Sequence, residues 1–205
     1  MWTRRNDRWD TRYDREDYLF GTEPAAFLQR ETMRLSAGER ALCIADGEGR
    51  NSVFLAARGL QVTAFDASGV GLEKAQRLAE ARAVEIDLHQ STVEDWEWTP
   101  EAFDVVVAIF IQFAGPDLRA EIFRGMDRTL KPGGHLLIHG YGPRQVDYGT
   151  GGPGVVENMY DLLMLREAFP GYRVLHADDY DAEVDEGEGH RGTSALIDFV
   201  AVKEG

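Results

Sequence analysis

The feature that most limits how this chain can fold is an alternation of short apolar runs with helix-forming segments. Ala41-Leu42-Cys43-Ile44-Ala45 is an apolar run ending in a Gly-rich turn, the pattern of a strand covered on both faces in a parallel sheet. Residues 51–58 read as a helix closed by Gly59, and Gln61-Val62-Thr63-Ala64-Phe65-Asp66 as a second strand. Ser68 is placed to cap a long helix running to about Ala83. A weaker strand follows at 85–89. Residues 103–110, with Val105, Val106, Val107 and Ile109, are strongly β-forming. Residues 117–130 are helical until Pro132-Gly133-Gly134, and 135–141 form a fifth strand. This spacing specifies an α/β fold with a doubly wound, mostly parallel sheet and right-handed crossovers. Ligands of such sheets bind beyond the carboxyl ends of the strands.

The two ends depart from that pattern. After a Gly-rich loop at 149–154 and a helix expected over about 158–169, two strand-like runs appear at 172–177 (or onward) and 195–202. Only a short acidic loop joins them, which predicts an antiparallel hairpin. At the other end, residues 2–18 are highly charged, with Trp9, Tyr13, Tyr18 and Phe20 interleaved or close behind. They read as an arm or short helix docked by its aromatic rings. A helix is expected from Glu23-Pro24, with Thr22 as N-cap and Phe27, Leu28 and Leu35 on its apolar side. No repeat, linker or low-complexity tract appears. One domain over residues 1–205 is expected, with 1–35 an arm and helix able to cap a ligand.

Composition narrows the partners. The formal net charge is −14, a field that repels phosphate backbones and anionic membrane surfaces. Neither nucleic acid nor membrane is expected as a partner. The single cysteine, Cys43, lies in an apolar run and cannot form an internal disulfide. It fits a reducing compartment and a packing role. Met1-Trp2-Thr3-Arg4-Arg5-Asn6-Asp7 carries no apolar leader core. No apolar run approaches the roughly 20 residues that span a bilayer. These features predict a cytoplasmic protein. No Cys or His spacing suggests a metal site, and no nucleophile elbow is present.

The chemistry-bearing pattern is the loop Ala45-Asp46-Gly47-Glu48-Gly49 between the first strand and a helix. Glycines there let the backbone turn tightly and approach a ligand. Asp66 closes the next strand, where a carboxylate can accept hydrogen bonds from both hydroxyls of a ribose. Together they point to an adenosine-containing ligand. A dinucleotide fingerprint asks for a third glycine, but Ser52 stands there. S-adenosylmethionine has no phosphate and carries a cationic sulfonium and an ammonium group. Asp46 and Glu48 suit those cations and would oppose a pyrophosphate. Two alternatives share the same sheet: a nicotinamide-dependent oxidoreductase and a non-catalytic S-adenosylmethionine-binding protein.

The run ALCIADGEGRNSVFLAA at 41–57 resembles motif I of class I methyltransferases, especially small bacterial ones related to tellurite-resistance and thiol methyltransferases. Val62-Thr63-Ala64-Phe65-Asp66-Ala67-Ser68 resembles their second motif, and Leu130-Lys131-Pro132-Gly133-Gly134 their late turn before the fifth strand. The resemblance implies a Rossmann-like seven-stranded sheet of order 3-2-1-4-5-7-6 with the last strand antiparallel. It also implies S-adenosylmethionine as cofactor and S-adenosylhomocysteine as product. By position, Ala45 to Gly49 and Asn51 would line the methionine part. Asp66 and Ser68 would lie at the ribose, and Ala67 against the adenine. Thr92, Val93 and Glu94 would sit at the adenine edge, with Ile109 and Phe110 near the sulfonium. Tyr18 and Phe20, in the segment Tyr18-Leu19-Phe20-Gly21-Thr22-Glu23-Pro24, would close over the group. Two departures stand out. The family's Asp-Leu-Gly-Cys-Gly reads Cys43-Ile44-Ala45-Asp46-Gly47 here, and Thr92 replaces an Asp.

The fifth strand ends His139-Gly140-Tyr141, and the hairpin loop carries Glu186, Glu188, His190 and Arg191. If the sixth strand runs parallel to the first five, that loop opens on the ligand side. His139, Tyr141, His190 and Arg191 are then expected to converge as the catalytic group. Arg191 would hold an anionic acceptor, or a His would deprotonate a neutral one. The expected reaction is in-line methyl transfer to a small molecule through a thiol, a chalcogenide, or an O or N nucleophile. A monomer or homodimer is expected.

Overall fold

The computed structural model describes residues 3–205, with side chains described from Arg8 onward. Trp2 of the arm, and the side chains on which the leader reading of residues 1–7 rests, lie outside the described residues. The described chain folds as two compact units, one reaching to residue 96 and including 186–189, the other formed by residues 97–185 with 190–205.

The first unit contains helices α1 (Thr3–Tyr13) and α2 (Ala26–Glu31), a 3₁₀ turn at Thr32–Arg34, and strand β1 (Arg40–Ile44). Helix α3 (Arg50–Ala57), strand β2 (Gln61–Asp66), helix α4 (Gly69–Ala81) and strand β3 (Asp87–Gln90) follow. The second contains β4 (Phe103–Ile109), α5 (Pro116–Thr129), β5 (Leu130–Tyr141) and α6 (Gln145–Tyr148). A 3₁₀ turn at Val156–Asn158, α7 (Leu162–Ala168), β6 (Tyr172–Asp185) and β7 (Arg191–Lys203) complete it.

The strands form a seven-stranded sheet in the order β3-β2-β1-β4-β5-β7-β6, as the resemblance implied. In the first unit β1–β2 and β2–β3 pair in parallel. In the second, β4–β5 is parallel and β7 is antiparallel to both β5 and β6. β6 therefore runs parallel to β5. Apolar side chains set these strands in the core: Ala41 to Ile44 of β1, Val105 to Ala108 of β4 and Leu136 to Ile138 of β5 are buried. The edge strand β6 instead exposes alternate acidic residues, which blunts edge-to-edge pairing. Among the described residues no helix is long and apolar enough to cross a membrane.

Three expectations need correction. Thr22 caps nothing, because α2 starts only at Ala26 and its N-cap position is Ala25. Pro24 disfavours helical backbone in the residue before it, and Ala25 is still extended, with ψ at 136°. The helix expected over 158–169 shrinks to α7, because Asp161 starts it late by accepting from the Met164 amide at 2.8 Å. The last two strands are longer than their apolar cores, since β6 and β7 stay paired from Tyr172↔Lys203 to Asp185↔Arg191. Main-chain pairing carries the polar outer half, where side-chain pattern is silent.

Helix α1 is fastened to α4 by polar groups. Ser68 caps α4 by accepting from the Gly71 amide at 3.0 Å, and its own hydroxyl donates to Asp10 at 2.5 Å. The Lys74 ammonium is 1% exposed. It donates to the carbonyls of Tyr13 and Asp17, at 3.2 and 2.6 Å, and pairs with Glu48 at 2.5 Å. Taking a charge out of water is tolerable only when partners surround it in this way. Lys74→Met should therefore destabilise the chain by about 3 kcal/mol or more in urea unfolding, because it strands the Glu48 carboxylate. Adding Glu48→Gln should recover part of that loss. A single-variant effect near the about 0.5 kcal/mol of an ordinary surface change would contradict this account.

Candidate active site

The loop that follows β1 is shaped by its backbone. Ala45 has φ of 48° and Gly49 has φ of 90°, values in the left-handed region that only glycine enters without strain. Ala45 stands where the resembled family has glycine, so the turn carries strain of about 1 kcal/mol. Gly49 admits no side chain, because a Cβ there would lie 2.6 Å from the Cβ of Ala75 on α4. The loop is thus pressed against α4, and Gly49 starts α3.

Asp66 ties this loop to the end of β2. Its Oδ2 accepts from the Gly47 amide at 2.9 Å and its Oδ1 from the Ser68 amide at 2.8 Å. Asp46 accepts from the Ser52 hydroxyl. Burial raises both carboxyls from the ordinary 3.8 to about 6, and the charge of Asp46 adds to the effect on Asp66. Tyr13 leans in from α1: a Cβ on Gly47 would meet its hydroxyl at 2.6 Å. Burial and then the charge of Asp66 push that phenol well up.

The other residues expected at this loop have defined partners. Glu48 faces Lys74 and also accepts from the Phe20 amide at 3.3 Å. Asn51 accepts from the Ala25 amide at 3.0 Å. These two side chains hold the 18–26 segment in place. Tyr18 donates to the Lys74 carbonyl at 3.0 Å, and the Phe20 ring lies edge-on to Tyr13. The turn residues 186–189 clasp the same segment. Glu186 pairs with the buried Arg50 at 2.8 Å and accepts from the Ala26 amide at 2.9 Å. Thr92 donates to Asp95 at 2.6 Å, Val93 is buried, and Glu94 is exposed. Ala67 is partly buried, and its carbonyl accepts from Gln90 at 3.2 Å.

The second unit brings another group together. Phe110, at the end of β4, has φ of 55°, a left-handed conformation that is unusual for an aromatic residue and typical of sites under functional constraint. Its ring lies 4.7 Å from His139, 4.8 Å from Tyr141 and 4.1 Å from His190, centre to centre. Ile109 precedes it on β4 and registers with His139 of β5. Three of the four expected catalytic residues thus gather around one ring. Arg191 does not join them: its exposed guanidinium bonds Asp185 at 2.9 Å, because those residues face each other at the outer end of the hairpin.

His139 has a partner that sequence reasoning missed. Its Nδ1 lies 2.6 Å from Asp198 Oδ1, and the two side chains are 3% and 1% exposed. The Tyr180 hydroxyl also donates to this oxygen, at 3.3 Å. A signal for Asp198 existed, since it is the one charge in the apolar run Ala195 to Val202. Gln112 was missed as well. Its amide pairs with both the carbonyl and the amide of Tyr141, at 2.7 and 2.6 Å, and so extends the end of β5. Nothing in the local sequence marked Gln112 or Lys74.

The loop residues can be tested against S-adenosylmethionine on this geometry. Two buried carboxyls, Asp46 and Asp66, flank a glycine turn, and the cations beside it, Arg50 and Lys74, are paired with Glu186 and Glu48. That donor set fits a cationic adenosine ligand. Residues 41–134 match the family described as "Methyltransferase domain", on a sheet of matching order. Over that stretch and in its fold the chain is similar to the class I methyltransferases.

Known methyltransferases are similar over part of their length. A ubiquinone biosynthesis O-methyltransferase of Marinobacter nauticus is 34% identical over 105 residues, 50% of this chain and 44% of that protein. A demethylmenaquinone methyltransferase of Clavibacter sepedonicus is 33% identical over 164 residues, 77% of this chain and 62% of that protein. The chain thus spans less than two thirds of either relative. Among solved structures, TehB from Haemophilus influenzae superposes with a TM-score of 0.72 at 18% identity, over 97% of this chain and 67% of TehB. A protein solved in work on conversion of a disulfide bond into a thioacetal group during echinomycin biosynthesis has a TM-score of 0.78. It too is 18% identical, over 98% of this chain and 92% of that one. At that identity the two show a shared fold.

The raised carboxyls give this chain a pH signature. Between the ordinary 3.8 and about 6, the folded chain keeps protons on Asp46 and Asp66 that the unfolded chain has released. Stability from these groups is therefore lost as pH rises through that window. Asp46→Asn keeps an acceptor for Ser52 without the charge. It should raise the melting temperature of the ligand-free protein at about pH 8 and leave it nearly unchanged at about pH 4. Thermal melts at both pH values check this, and equal shifts at both would contradict it.

Proposed function

We propose that this methyltransferase transfers the methyl group of S-adenosylmethionine to a small-molecule acceptor. The observation that carries this reading is the pair of buried carboxyls, Asp46 and Asp66, around the glycine turn at the ends of β1 and β2. In a water-poor setting such groups stabilise a nearby cation far more than solvent would. Bound there, the cofactor supplies an electrophilic methyl group on a sulfonium, and the protein contributes binding and orientation.

Each residue has a proposed task. Asp66 would hold the ribose hydroxyls with the oxygen lone pairs left by Gly47 and Ser68. Asp46 would offset positive charge. Ala67, Thr92 and Val93 would border the adenine, and Ile109 and Phe110 the methyl donor. Glu48 and Asn51 act one step back, by anchoring the segment that carries Tyr18 and Phe20. Residues 1–35 would cap the bound group and exclude water. The names of the relatives place those proteins in quinone chemistry. For this chain they support methylation of a small molecule, and the net charge of −14 argues against nucleic acid.

Titration calorimetry should show binding of S-adenosylmethionine and S-adenosylhomocysteine and none of NAD. Binding of NAD alone would reject the proposal. Asp66→Ala should weaken S-adenosylmethionine by at least about tenfold, through lost charge-assisted hydrogen bonds. Affinity for the cation should also fall as pH drops through about 6, where Asp46 and Asp66 take up protons.

A further inference from the structure

The first unit holds a ring whose position is prescribed and whose hydroxyl is left over. Tyr13 closes α1 and is 4% exposed. It lodges against two glycines. A Cβ on Gly47 would meet its hydroxyl oxygen at 2.6 Å, and a Cβ on Gly71 would meet its ring carbons at 3.1 and 3.2 Å. Gly71 lies inside α4, where glycine is a poor helix former, and room for this ring is what it provides. Trp9 stacks on the same ring at 5.4 Å, and Phe20 meets it edge-on at 6.3 Å. The ring is thereby held with its hydroxyl toward the loop after β1. Among the described residues that hydroxyl has no hydrogen-bond partner, whereas a buried tyrosine ordinarily finds one. Packing alone would be served by phenylalanine.

The surroundings limit what this hydroxyl can meet. Burial, then the charges of Asp66, Glu48 and Asp46, hold the phenol in its protonated form. It is therefore a donor that can also accept. A ligand carboxylate would be repelled by the same acids. An ammonium has no lone pair to accept the phenol proton. A hydroxyl can give its own proton to a carboxylate and accept from the phenol at once.

We propose that Tyr13 is a cofactor-binding residue whose hydroxyl donates to the ribose hydroxyl that Asp66 holds. This rests on the S-adenosylmethionine reading above. The resulting chain runs from the Asp66 carboxylate through the ribose hydroxyl to the phenol, and in such a chain each bond polarises the next. It also gives the fastening of α1 a purpose. Asp10 accepts from the Ser68 hydroxyl at 2.5 Å, and Lys74 donates to the Tyr13 carbonyl at 3.2 Å. Both contacts hold the ring to α4, whose cap, Ser68, gives its amide to Asp66 at 2.8 Å. A donor held in place before the ligand arrives lowers the ordering cost of binding.

Competition calorimetry on the full chain tests this with S-adenosylhomocysteine and its 2′-deoxy and 3′-deoxy forms. Tyr13→Phe should weaken S-adenosylhomocysteine by about fivefold, the worth of one hydrogen bond. Against the deoxy form that lacks the shared hydroxyl, wild type and Tyr13→Phe should bind within about twofold of each other. The ligand-free variant should melt no lower than wild type, because Tyr13→Phe removes no hydrogen bond among the described residues. A lower melting temperature would mark a structural tyrosine and overturn the proposal. Unchanged affinity for S-adenosylhomocysteine would overturn it, as would a loss that persists with both deoxy forms, which would put the hydroxyl at another part of the ligand. Tighter binding to Tyr13→Phe, the sign of a ring that blocks the site, would overturn it too. If wild type binds neither S-adenosylmethionine nor S-adenosylhomocysteine, the reading beneath the proposal fails, and the wild-type titration alone separates that failure from the others.

Discussion

One buried carboxylate organises the first unit. Asp66 ends β2 and accepts the Gly47 amide from the loop after β1 and the Ser68 amide at the start of α4. Without it, three chain segments would meet with two buried donors unpaired, each costing roughly 1–3 kcal/mol. The cost of the arrangement is the charge itself, and burial answers by raising the carboxyl to about 6. A group poised between neutral and ionised is at once tolerable in the ligand-free fold and receptive to a cation. Asp46, where the resembled family carries a cysteine, is likewise buried and raised to about 6, and it accepts from Ser52.

Around that centre the N-terminal segment is fastened by polar groups and not only by its aromatic rings. Lys74, Glu48 and Asn51 face the chain between Tyr13 and Ala25, and the turn at 186–189 clasps it from outside. Glu48 and Asn51 are motif residues whose visible work is structural. A loop motif thus does two things with one run of residues: its backbone and Asp46 shape the turn, while Glu48 and Asn51 hold the segment from Phe20 to Ala25.

The second unit follows another logic. Its rings gather where β4 and β5 end, and a buried histidine–carboxylate contact joins β5 to β7. The partner of His139 comes from a strand almost sixty residues later in the chain, |i−j| = 59, so no local pattern could have named it. Arg191 shows the converse. It sits beside His190 in sequence, yet it opens β7 and pairs outward with Asp185, which faces it across the hairpin.

Read alone, the sequence determined the α/β class, most strand positions, the Gly-rich loop with Asp66, and the family. These depend on short-range facts: apolar runs, glycine turns, and acids at strand ends. It also pointed to Phe110, His139, Tyr141 and His190. Only the tertiary structure decided which side chains answer one another. Lys74 reaching Glu48, Tyr13 leaning over Gly47, Gln112 extending β5 and Asp198 holding His139 all depend on residues brought together by the fold. The start of α2 and the full length of β6 and β7 also waited on it, because backbone pairing and the cost of burying charge outweigh local preference there.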